Sequence, residues 1–212
     1  MDTVTESSRV SVDAVGVRYN THSGKPEILI HRRAQPPYAG KWALPGVLQR
    51  AGERVTAAAA RALVKAGVPT DAIRSCGILV VFDEPNRDPR GPTLSIATCA
   101  VIDPDTTIDA TARWVAIDSV PKLAFDHNRI VEDSRPRMAS RLWTDSAFTR
   151  ALTGSSFPVS TALNLTSALS GATPDRGNLN RTLSNNPKLT SQPRSARATG
   201  GRPGTIWTWK QS

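Results

Sequence analysis

From Val10 to Val17 apolar and polar residues alternate with the two-residue period of a strand. Ile28-Leu29-Ile30-His31-Arg32-Arg33, Gly77 to Phe82 and Thr93 to Ile102 predict three further strands. Turn residues separate them at Gly24-Lys25-Pro26, Pro36-Pro37, Pro85-Asn86 and Pro89-Arg90-Gly91-Pro92. Between the second and third lies Glu53 to Ala66, rich in alanine and closed by Gly67-Val68-Pro69, the composition and stop signal of a helix. From Phe125 the period becomes helical. Asp126 is placed to cap a helix through Ile130, Val131, Met138 and Leu142, which Pro136 must kink or end. Ser160 is placed to cap a second through Leu163, Leu165, Ala168 and Leu169, stopped by Gly171. Thr173 is placed to cap a third, with Pro174 at its first position and Leu179 and Leu183 on one face. A basic loop, Arg194 to Gly204, then separates Leu189 from Thr205-Ile206-Trp207-Thr208-Trp209, which alternates like a strand and whose tryptophans read as core and sheet anchors.

Three short helices, a strand, a basic hairpin tip and a strand have the layout of a winged helix-turn-helix. The fold class is therefore α+β: a mixed sheet and helix domain over residues 1–122, a linking helical segment over 123–147, and a winged helix-turn-helix over 148–212. At 212 residues and 22.8 kDa the chain is long enough to bury a sizeable core. Its longest apolar run, Ile78 to Phe82, is of strand length, far below the ~18 residues of a membrane helix. Met1 to Glu6 is acidic and polar and lacks the basic-then-apolar pattern of a signal peptide, which predicts a cytoplasmic protein with no membrane partner. Cys76 and Cys99 lie in apolar stretches and read as buried free thiols, not as a disulfide or a zinc site.

Charge divides the chain. Residues 1–121 hold 14 Lys and Arg against 13 Asp and Glu, whereas residues 148–212 hold eight against Asp175. A near-neutral front and a back half of net +7 predict that the back half faces a polyanion.

The stretch Trp42-Ala43-Leu44-Pro45-Gly46-Val47-Leu48, followed by Gly52-Glu53 and an alanine-rich helix bearing Arg61, resembles the Nudix box. Glu53 and Arg61 match that pattern, while Val47 stands for its glycine, Ala62 for the glutamate after the arginine, and Lys65 and Ala66 for the glutamate pair. Nudix hydrolysis needs Mg²⁺ held by carboxylates on one side of the helix. One glutamate with a lysine and two alanines does not assemble that cluster, so no catalytic or metal-binding residues are expected, and Glu53 reads as a carboxylate opposing a helix dipole.

The order and spacing of further pieces narrow the resemblance. They are His31-Arg32-Arg33-Ala34, Pro37-Tyr38-Ala39-Gly40-Lys41-Trp42, Asp83 to Gly91, Leu123-Ala124-Phe125-Asp126-His127, Pro174 to Arg181, and Gly201-Arg202-Pro203-Gly204. Together the chain resembles the Nudix-related transcriptional regulators, bacterial repressors of NAD biosynthesis and salvage genes. The resemblance implies a degenerate Nudix domain as sensor of a nucleotide effector, usually ADP-ribose, a winged helix-turn-helix on double-stranded operator DNA, and a homodimer matched to a palindromic operator. No cofactor is implied.

The candidate DNA-binding residues follow. Arg176 on the third helix can pair with guanine, and Asn178 or Asn180 with adenine, with Arg181 on the same helix; Arg194, Arg197 and Arg202 in the basic loop suit phosphates or a minor groove. For the effector, Arg32, Arg33, Arg87 and Arg90 are guanidiniums suited to a diphosphate, and Trp42 or Tyr38 suits an adenine ring. His127, beside Asp126 at a helix start, reads as a structural histidine. The alternative from another class is a Nudix hydrolase of ADP-ribose-like nucleoside diphosphates with a basic C-terminal extension.

Overall fold

The computed structural model describes residues 7–193 and 205–211. In chain order these form β1 (Arg9–Asn20), β2 (Lys25–Arg32), β3 (Trp42–Ala43), β4 (Gly46–Leu48), α1 (Val55–Lys65), β5 (Ile73–Phe82), β6 (Thr93–Ile102) and β7 (Ala112–Ala116). There follow α2 (His127–Arg141), α3 (Ser146–Thr153), β8 (Ser156–Pro158), α4 (Val159–Ser170), α5 (Arg176–Ser184), β9 (Leu189–Pro193) and β10 (Thr205–Trp209). Among the described residues one sheet runs β3-β2-β1-β6-β5, with β4 paired to β1 and β7 to β2, and a second runs β8-β10-β9. β1 and β6 are parallel, in register from Arg9 with Thr93 to Val17 with Val101.

β1 is buried from Val12 to Val17 because both faces of the sheet are covered. Val12 and Ala14, with Leu29, Ala100 and Ile102, join a cluster built on Ala58, Ala59 and Leu63 of α1. Val15 and Val17, with Ile28, Ile30, Cys99 and Val101, join a second that continues through Ile130 and Met138 of α2, Phe148 of α3, Leu165 of α4 and Leu183 of α5 to Trp207 and Trp209 of β10. Alternate residues of the same strands feed opposite clusters, as the two-residue period requires. Trp207 and Trp209 are each 4% exposed, so the anchoring role expected of them holds. Cys99 is buried and Cys76 half-buried, both free, and burial pushes the Cys99 thiol up to about 12.

Several local expectations need correction. Pro136 does not end α2, which runs 15 residues through it. The inward face of Ile130, Val131, Ser134 and Met138 is packed on the sheet, and burial offsets the one backbone bond a proline removes. α4 begins at Val159, with Pro158 and not Ser160 at its N-cap, because the preceding residues are held in β8 against β10. α5 is capped by Asp175 and not Thr173: the carboxylate accepts from the Asn178 N–H at 2.7 Å, where its charge also opposes the helix dipole. Asp126 occupies the N-cap of α2 without capping it, since its carboxylate is used elsewhere. β3 and β4 are too short to show a period. α3 was hidden by its shortness, although Asp145 caps it through the Phe148 N–H at 3.0 Å and Phe148 and Leu152 sit one turn apart. Among the described residues no helix is long and apolar enough to cross a membrane.

Candidate functional site

A cleft of about 640 Å³ opens at the end of the sheet where β1, β2 and β4 meet α1 and the segment before α2. Six cationic side chains line it, Arg32, Arg33, Arg61, Lys65, Arg87 and Arg90, against the carboxylates of Asp13 and Asp88. His31 lines it too; burial, then the positive charge of Arg33, lowers its pKa.

The floor is a buried ionic network. Asp13, on β1, accepts from Ser11 Oγ at 3.2 Å and from Ser95 Oγ on β6, and lies 3.5 Å from Arg87 Nη2 and 3.6 Å from His127 Nε2. Arg87 donates twice to Asp126, from Nε at 2.9 Å and Nη2 at 2.7 Å. His127 Nδ1 accepts the Leu44 N–H at 2.9 Å, which leaves the proton on Nε2, facing Asp13. Burial dominates the His127 pKa and lowers it, with Asp13 opposing. A side chain at Gly46 would collide with the Asp13 carboxylate, so the glycine of Pro45-Gly46 is required for close approach. Phe125 holds φ +54°, an uncommon value for an aromatic residue, between its edge contact with Tyr38 at 4.8 Å and the fixed Asp126.

Against this geometry the predicted effector residues divide. Arg87 lines the cleft, but its side chain is 3% exposed and its donors go to Asp126 and Ser11. Arg90 forms a paired contact with Asp88 at 3.0 and 2.7 Å, which holds that carboxyl below its usual range although burial opposes the shift. Arg33 donates to the carbonyls of Pro37 and Gln35 and lies 4.7 Å from the Phe125 ring centre, and burial lowers its pKa. Arg32 donates to the Gly40 carbonyl and lies 4.7 Å from the ring centre of Trp42, its partner across the β2–β3 pair. Trp42 also receives Arg113 of β7 at 4.3 Å, so its ring is engaged by two guanidiniums. Sequence reasoning missed Asp13 and Phe125. Asp13 carried a usable signal, the one acidic residue of β1, set between Val12 and the uncharged run Ala14 to Val17.

At the box positions, both Glu53 oxygens accept from Arg61 at 2.8 Å and one also takes the Arg50 N–H at 2.9 Å. Arg61's hydrogen bonds, then the Arg50 N–H, hold the Glu53 carboxyl down to about 2. Ala62 and Ala66 are buried beneath α1, while Lys65 is exposed and faces the cleft.

A second polar surface lies on α5. Leu179 and Leu183 point inward, leaving Arg176, Asn178 and Arg181 exposed and Asn180 half-buried. Arg181 donates to Asn178 Oδ1 at 3.1 Å, so the two side chains act as a pair. Thr182 and Asn185, exposed one turn beyond Asn178 and Arg181, extend the same face and were readable from helical spacing. Arg194, Arg197 and Arg202 lie outside the described residues.

No family model matches the sequence. Over 111 residues the chain is 33% identical to an ADP-ribose pyrophosphatase of Methanocaldococcus jannaschii, a match covering 50% of this chain and 64% of that protein, under two thirds of the relative's length. In three dimensions it superposes on Shewanella oneidensis NrtR complexed with a 27mer DNA at TM-score 0.73 and 20% identity, covering 95% of this chain and 93% of that one. In fold, the chain is similar to NrtR over nearly its whole length. The NUDIX domain of NrtR complexed with ADP ribose superposes at TM-score 0.55 and 22% identity over 65% of this chain and 93% of that one. The large sheet and its helices thus share a Nudix fold with NrtR. That fold implies a divalent metal on the first helix, and the donor set here does not fit one. Glu53 is saturated by Arg61 and Arg50, Asp13 and Asp88 are in ion pairs, and among the described residues no group of three or more His, Cys, Asp and Glu is placed to hold an ion.

Two predictions follow from the network. Arg87→Met leaves the buried Asp13 and the half-buried Asp126 without their cation and costs about 3–5 kcal/mol in urea unfolding, whereas Arg32→Met, which strands no carboxylate, stays near or below ~1 kcal/mol. Equal losses for the two variants would remove the distinction drawn between them. Because His127 titrates lower in the fold than its ordinary 6.5, the unfolded chain binds more protons below that pH. Stability is therefore full above pH ~6.5 and declines as pH falls below it. Unfolding midpoints measured from pH 8 to 5 should show that slope, reduced in His127→Gln.

Proposed function

We propose that this chain is a DNA-binding transcriptional regulator in which a Nudix-fold sensor controls a winged helix-turn-helix. The observation that carries the reading is the length of the similarity to NrtR in its DNA complex: at 95% coverage it continues past the large sheet into the C-terminal helices and strands. Within that region α4, the turn at Gly171 and α5 form a helix-turn-helix, and the β9–β10 hairpin is its wing. α5 is the recognition helix. Its exposed Arg176, Asn178 and Arg181, with Asn180 at its flank, are side chains suited to base edges in a major groove. Arg194, Arg197 and Arg202, between β9 and β10 in sequence, supply phosphate contacts. The regulator acts as a homodimer on a palindromic operator, represses NAD biosynthesis or salvage genes, and releases DNA when its cleft binds ADP-ribose. The cleft's excess of cations supports an anionic effector, and the ADP ribose complex of the NrtR NUDIX domain supports its identity.

One observation favours a second reading, the 33% identity to an ADP-ribose pyrophosphatase. A Nudix hydrolase would release AMP from ADP-ribose with Mg²⁺, whereas a regulator with Ala62 and Lys65 on α1 and Ala66 at its C-cap releases none.

Gel shifts on the chain's own upstream region and on NAD-gene promoters test the regulator. Log affinity should fall steeply with log salt, and Arg176→Ala should cost about 1–3 kcal/mol at one operator position while sparing random DNA. ADP-ribose should weaken the complex ~5–150-fold. A DNA complex that survives saturating ADP-ribose, or an Arg176→Ala variant that behaves alike on both DNAs, would sink the effector or the recognition helix respectively.

A further inference from the structure

The Nudix fold and the charges in this cleft disagree, and the disagreement is concentrated at Lys65. It closes α1 at a position where the box carries a glutamate, and its side chain lines the cleft. Of the lining cations, Arg61, Arg87 and Arg90 are each joined to a carboxylate. Arg32 and Arg33 donate to backbone carbonyls, and the Lys65 ammonium makes neither a hydrogen bond nor an ion pair among the described residues. It is exposed on the last turn of α1 and lines the cleft together with His31.

We propose that Lys65 takes the electrostatic place of the divalent cation, so that a nucleoside diphosphate binds this cleft through its phosphates without metal. The proposal deepens the effector reading and rests on it for the class of ligand. A metal-binding box holds the cation by its carboxylates, and the cation holds the phosphates. Here one residue does both, because an ammonium fixed on α1 needs no carboxylates beneath it. The sign of the metal effect then inverts. A diphosphate complexed with Mg²⁺ has given up two of its negative charges and gains less from a cationic cleft, so Mg²⁺ competes with Lys65 for the ligand.

The test is calorimetric titration of the full chain with ADP-ribose and, separately, with inorganic pyrophosphate, each in EDTA and in millimolar Mg²⁺, for wild type, Lys65→Ala and Lys65→Glu, with circular dichroism of each variant. The expected result is wild-type binding in EDTA, equal or weaker in Mg²⁺, at least tenfold weaker in Lys65→Ala, and weaker still in Lys65→Glu with partial recovery on adding Mg²⁺. Wild-type binding that requires Mg²⁺, or Lys65→Ala binding like wild type, overturns the proposal and leaves the effector reading standing. Pyrophosphate binding in EDTA that Lys65→Ala abolishes, with no ADP-ribose binding under any condition, keeps the role of Lys65 and overturns the effector. Binding of neither ligand overturns both.

Discussion

A carboxylate on the central strand of a sheet covered on both faces must be compensated largely by the protein, since only its edge meets the cleft. Asp13 is that carboxylate, and its compensation joins parts of the chain distant in sequence: Arg87 from the β5–β6 connection, His127 from the start of α2, and Ser95 from β6. Arg87 in turn carries Asp126. Breaking one member of such a set strands a buried charge, which costs more than the pair adds when intact, so the set acts as a single fastening. It fixes where α2 begins, and it shapes the cleft, because Gly46 must approach Asp13 with no side chain of its own.

What α2 does next depends on where it is pinned. Its inward residues extend the core from the sheet to α3 and α4, and the same apolar cluster reaches α5 and the tryptophans of β10. Arg135 of α2 donates to the Ala168 carbonyl near the end of α4, and Asn164 of α4 donates to Tyr19 Oη on β1. The helices that carry the candidate DNA face are thus held against the candidate effector domain by polar contacts at defined points over a continuous packed core. Close-packed interfaces of this kind shift between discrete arrangements more readily than they deform, which is the property a ligand-driven switch needs.

The cleft inherits its sign from the same arrangement. Its two acidic side chains are consumed in ion pairs, and Glu53 nearby is closed off by Arg61. Cations are left facing the opening, which gives the cleft an excess of positive charge.

The four main strands, α1, the residues at positions 62, 65 and 66 and the basic back half are set by local sequence. A two-residue period, an alanine run stopped by Gly67-Val68-Pro69 and the residues at positions 62, 65 and 66 need no partner to be read. The apolar role of Trp207 and Trp209 was legible for the same reason. Tertiary structure alone decided which acid caps and which does not: Asp126 and Asp175 both stand at helix N-caps, but only Asp126 lies within reach of Arg87, and a bidentate guanidinium outcompetes a backbone N–H. It also decided which arginines of the cleft are tied to a carboxylate and which are not. In sequence Arg32, Arg33, Arg87 and Arg90 are equivalent candidates, because a guanidinium suits a phosphate and a carboxylate equally well. The choice between them depends on whether an acid from elsewhere in the chain arrives beside it, and that is information no local pattern carries.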